Sequence, residues 1–130
     1  MTPKIMAMRL LDGKVPASNL IFVRSRREEF IKEVKSGLAA LCWPFHAQVI
    51  AELRPRVVLC LGATAGNFVR ERLLATRLVG QFIEVNNRRW KSQVFDGTSG
   101  LKVVVAMHPS IADWCAAATD PSALVEAALR

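Results

Sequence analysis

The chain has 130 residues, 52% of them hydrophobic, with a mean hydropathy of +0.23 and a formal net charge of +7. That length allows one small domain, residues 1–130. No apolar run is long enough to span a membrane, and the first residues lack the charged, apolar, small-residue order of a secretory signal. A cytoplasmic protein with a polyanionic partner such as DNA is the expectation, since an excess of Lys and Arg attracts phosphate.

Residues 5–11 have the pattern of the last turns of a helix, stopped by Asp12-Gly13. Ala17–Val23 then reads as a buried strand. Asn19 is its odd member: inside an apolar run its amide must find hydrogen-bond partners, whereas an Asn closing a turn needs none. Ser25, followed by Glu28 and Glu29, has the form of a helix start, and Phe30, Ile31, Val34, Leu38 and Leu41 keep helical spacing. Pro44 interrupts, so either one helix kinks or a second begins, and Phe45, Val49, Ile50 and Leu53 continue the apolar face. His46 lies in that stretch as a surface or half-buried histidine.

Val57-Val58-Leu59-Cys60-Leu61 is an unbroken apolar run ending at Gly62, which predicts a strand buried on both faces of a parallel sheet. Gly62 suits a tight strand-to-helix turn, Thr64 is a candidate cap, and the helix is expected to end near Ala75. Backbone N–H groups at such a helix start can hold a phosphate; a plain strand-to-helix turn accounts for the stretch as well. The spacing GxGxxG and the Walker lysine are both missing, which argues against a nucleotide site.

Val79–Val85 and Trp90–Phe95 flank Asn86-Asn87 and read as two short strands or an extended loop pair. Leu101–Met107 is another buried strand, ending at His108-Pro109-Ser110. Thr119-Asp120-Pro121 opens a short helix to Arg130, with proline at its first position. Carboxyl ends of parallel strands share one edge, so the Gly62 and His108 loops are expected to converge, and a histidine there can donate a hydrogen bond to developing negative charge. Cys42, Cys60 and Cys115 are odd in number with no CxxC pair, which argues against a disulfide framework or metal centre. Cys60, inside its strand, reads as a small core hydrophobe.

Three ordered motifs carry a resemblance to a known family: Ser18-Asn19-Leu20-Ile21-Phe22-Val23; Cys42-Trp43-Pro44-Phe45 with Pro55 and the run to Gly62; and Met107-His108-Pro109-Ser110. Over about residues 10–114 the chain resembles the carboxyl-terminal part of the uracil-DNA glycosylase superfamily. The resemblance implies a three-layer α/β/α fold with a short, mainly parallel sheet, lacking the family's first βα unit. It implies hydrolysis of the N-glycosidic bond of uracil, or of a related damaged base, in base-excision repair of DNA. Such chemistry takes the base out of the stack. Asn19 would read the flipped base and His108 would stabilise the departing anion. Gly62, Ala63, Thr64 and Ser110 would hold phosphates, and Ile111 would enter the minor groove.

The family's first motif, which positions water, lies before the base-reading asparagine; only eighteen residues precede Asn19 here, and none match it. Of the cluster cysteines of the iron–sulfur branch only Cys42 has a counterpart, so no cofactor is expected. Asp113-Trp114 stand where the family often has Leu-Arg. The alternative is a non-catalytic module that binds DNA or pairs with a second copy through an exposed sheet edge.

Overall fold

A computed structural model describes residues 16–20, 35–84, 90–97, 100–108, 116 and 119–130. The expected helix ends at 5–11 and 25–34 and the strand residues 21–23 lie outside them, as do Ser110, Ile111 and Cys115. The described residues belong to two compact units, Ala17–Pro55 and Arg56–Arg130, with Pro16 assigned to the second.

Among the described residues of Ala17–Pro55 the element is α1, Lys35–Leu53, which runs unbroken through Pro44. One helix therefore forms where the sequence left two choices. Residues 16–20 form no strand, and Asn19 is exposed, so the expectation of a buried strand does not hold at this position. A solvated amide has water as its partner and needs no place in a sheet ladder.

The unit Arg56–Arg130 is a mixed α/β structure. Its elements are β1 (Val57–Leu61), α2 (Ala63–Arg72), β2 (Arg77–Ile83), β3 (Lys91–Asp96), β4 (Lys102–Ala106) and α3 (Ser122–Leu129). The four strands form one sheet in the order β1-β4-β3-β2. β1 pairs with β4 in parallel, with Leu61 beside Ala106. β3 pairs antiparallel with both β4 and β2. The sheet is thus mostly antiparallel, which corrects the expectation of a mainly parallel one. The reason lies in β2 and β3: these consecutive strands pair with each other, antiparallel, whereas a parallel pair needs a crossover connection.

The centre of the sheet also differs from expectation. β4 is buried from Val103 to Ala106, whereas Cys60 alone is fully buried in β1. β1 is the end strand among the described residues, so its run of five apolar side chains is half-covered and not buried on both faces. Successive side chains of β4 serve opposite faces. Val104 joins Val94, Val125 and Ala128 in the core under α3, and Val105 meets α2 at Gly66. A Cβ on Gly66 would overlap Val105 Cγ1 and stand 2.6 Å from its Cγ2. Only glycine lets the helix lie this close.

α2 stops at Arg72, short of Ala75. Ala75 N donates to Arg70 O at 2.8 Å and Leu74 N to Glu71 O at 3.2 Å, with Leu74 at φ 56. This is the left-handed helix stop that glycine usually fills. α3 begins at Ser122 with Pro121 at the N-cap and not, as expected, at the first helical position; Asp120 Oδ1 accepts from Ser122 N at 2.9 Å, so the helix starts within one residue of the expected Thr-Asp-Pro signal.

Candidate functional site

β1 and β4 run in the same direction, so their carboxyl ends lie side by side. Gly62 N donates to Ala106 O at 2.8 Å, which carries the ladder one residue past β1. Gly62 then turns the chain with φ 96 and ψ 160, a region that side chains disfavour. Gly66 N donates to Gly62 O at 3.0 Å and opens α2. A Cβ built on Gly62 would stand 3.7 Å from His108 Cβ and 3.9 Å from His108 Cδ2. The imidazole of His108 therefore lies against the Gly62 turn, and His108 is exposed. The expected convergence of these two loops is present.

The start of α2 is not capped by a side chain and has no acid in its first turn. Thr64 is inside the helix, so the expectation that it caps is corrected: the N-cap position belongs to Gly62, which has no side chain to offer. Ala63 and Thr64 are exposed. The N–H groups of a first turn have no intrahelical partner, and the helix dipole gives them partial positive charge. Together with the imidazole they can receive an anion.

Two further contributors carry no signal in the sequence. Ser92, fully buried in β3, accepts a hydrogen bond on Oγ from Met107 N at 3.2 Å. It replaces a ladder carbonyl at the point where β4 ends and so sets the departure of the chain into His108. A serine in an alternating strand reads as a solvent-facing residue, and only the third strand shows otherwise. Glu84 is a buried acid at the end of β2, joined to β3 by its N–H to Trp90 O at 2.8 Å. β2 runs in the direction of β4, so Glu84 lies on the same edge of the sheet as Gly62 and His108.

Asn19 belongs to the other unit. Its neighbours are fastened to α1: His46 Nε2 lies 3.0 Å from Leu20 O and His46 Nδ1 lies 3.3 Å from Ser18 Oγ. A carbonyl only accepts, so Nε2 carries the proton and Ser18 donates to Nδ1. His46 holds the segment on both sides of Asn19, a role that 28 residues of separation hide from a linear reading.

Cys60 is buried, and desolvation pushes its thiol up to about 12. It stays protonated and acts as a core side chain. Among the described residues no group of three or more His, Cys, Asp or Glu is placed to hold a metal ion, and no helix is long and apolar enough to cross a membrane. The chain matches no protein-family model, no curated protein and no solved structure.

Proposed function

We propose that this chain handles DNA as a uracil-DNA glycosylase-like protein, with the Gly62 turn and His108 as its anion-holding half-site. The observation that carries the reading is the contact of His108 with the Gly62 turn at the uncapped start of α2. In this reading the α2 N–H groups and Ser110 bracket a phosphate. His108 donates to the uracil oxygen that gains charge as the glycosidic bond breaks, and Asn19 reads the base edge. Ile111 contacts the minor groove, and the net charge of +7 draws in the phosphate backbone. A helix against each of two successive β4 side chains, Val104 and Val105, supports the three-layer architecture that belongs with this proposal.

The test is uracil release from single- and double-stranded DNA, by the wild type and by His108→Ala. Release that His108→Ala abolishes is the expected result. No release, with salt-dependent binding of the same DNA, would leave a DNA-binding protein without catalysis. Neither release nor binding would overturn the reading.

A second reading, an interaction module, is favoured by one observation: β1 has no second strand partner among the described residues. Edge pairing with a second copy would complete its ladder. Sedimentation velocity separates the two readings, since a dimer that ignores DNA fits only the second.

A further inference from the structure

The resemblance leaves a second group of cations without a role, and the fold gathers them at the other end of the sheet. β1, β2 and β4 all start there, and α2 ends there. Lys102 N donates to Arg56 O at 3.0 Å, and Lys102, Asp96 and Arg77 are register neighbours across β4, β3 and β2. Arg70 and Arg72 occupy the last turn of α2. The turn after that helix packs on the β3–β4 connection: a Cβ on Gly97 would stand 3.3 Å from Leu73 O and 3.5 Å from Ala75 Cβ. Five cations from four elements or their flanks thus share one end, with Glu71 and Asp96 as the described acids among them.

Two of the guanidinium groups lie over aromatic rings. Arg70 Cζ lies 4.2 Å from the centroid of Phe95, and Arg72 Cζ lies 4.8 Å from that of Phe68. Arg77 Nη2 donates to Asp96 Oδ2 at 3.0 Å. A planar fork fixed by stacking loses little freedom when it meets a phosphate, which suits arginine to bidentate phosphate contacts. Three strand spacings separate β1 from β2, about 14 Å. A duplex presents about one charge per 1.7 Å of its axis, so a row of that width meets several phosphates.

We propose that Arg56, Arg70, Arg72, Arg77 and Lys102 form a second, sequence-independent binding surface for the phosphate backbone of duplex DNA, at the end of the sheet opposite His108. It goes beyond the glycosylase-like reading and does not depend on it. The surface reads no base; it holds backbone, and a bound duplex neutralises several of its cations at once.

The experiment is fluorescence anisotropy with an undamaged duplex across a salt series, using the full chain. Arg56→Gln/Arg72→Gln/Arg77→Gln removes three exposed charges from the surface. Lys91→Gln/Arg130→Gln removes two exposed charges that are not among the five. Circular dichroism checks that both fold. Should the triple variant not fold, the single Arg72→Gln takes its place, against Lys91→Gln. The expected result is a slope of log K against log salt that falls by about 2–3 in the triple variant, or about 1 in the single one. The control variants keep the wild-type slope. Equal slopes in surface and control variants would overturn the proposal, because net charge alone would then explain binding. Anionic phosphatidylserine vesicles test the other polyanion. Leu74, 65% exposed beside Arg72, would enter a lipid surface. Vesicle binding that Leu74→Ser abolishes, with no duplex binding, would also overturn it.

Discussion

β1 and β4 are five-residue neighbours of similar composition, and the two loops of the candidate site grow from their ends. Their environments differ. β4 has a strand on each side and a helix against each of its faces, and Val103 and Val104 are 0% exposed. β1 has one strand partner among the described residues and only Cys60 fully buried. Equal hydrophobicity has become unequal burial, because a strand's neighbours decide how much of it water can reach. The site inherits the asymmetry: His108 leaves a central strand whose end is fixed by Ser92, and Gly62 leaves an end strand.

The comparison breaks first at β4. Val104→Asp would place an unpaired charge in the core, and we expect it to abolish the folded state, a cost of about 4 kcal/mol or more. Val104→Ala should cost about 1–3 kcal/mol, and Val58→Ala, at a half-buried position of β1, less than about 1. Urea midpoints at constant m measure the difference. Equal losses at 104 and 58 would mean that β1 is covered as fully as β4.

Cys60 is where the end strand behaves like the central one. Its thiol titrates near 12 in the fold against 9.0 when unperturbed. The folded state therefore binds the proton more tightly than the unfolded chain. The contribution is intact below pH 9 and is lost as the pH rises toward 12, at about 1.4 kcal/mol per unit. Cys60→Ala should flatten that alkaline loss; an unchanged slope would show that the thiol is not desolvated.

The close approach of α2 to β4 sharpens the comparison further. Gly66→Ala gains helix propensity but drives a methyl into Val105, for a net loss of about 1–2 kcal/mol. Gly37→Ala in α1, with nothing within 4 Å of the new Cβ, should gain about 0.5–1 kcal/mol. If thermal unfolding moved the same way in both variants, the packing at Gly66 would be looser than described.

Much of this was legible beforehand because it is local. The apolar run to Leu61 and the glycine after it, the strand ending near Met107, the two short strands on either side of Asn86-Asn87 and the helix opened at Asp120-Pro121 each follow from residue spacing and turn chemistry. So does the meeting of Gly62 with His108, once two strands are taken as parallel. At Asn19 the sequence left a strand and a turn open, and residues 16–20 form no strand because the chain there is exposed. The part of Ser92, which sets where β4 ends, and that of His46, which fastens residues 18 and 20, lie across 15 and 28 residues of chain. What the sequence by itself determined is which residues turn, which alternate and which are apolar, since these are properties of neighbours in the chain. Only the tertiary structure decided that β4 and not β1 is central, that the sheet is mostly antiparallel, and that five cations meet at one end. Strand order depends on which edges pair, and that free energy belongs to contacts between segments distant in the chain.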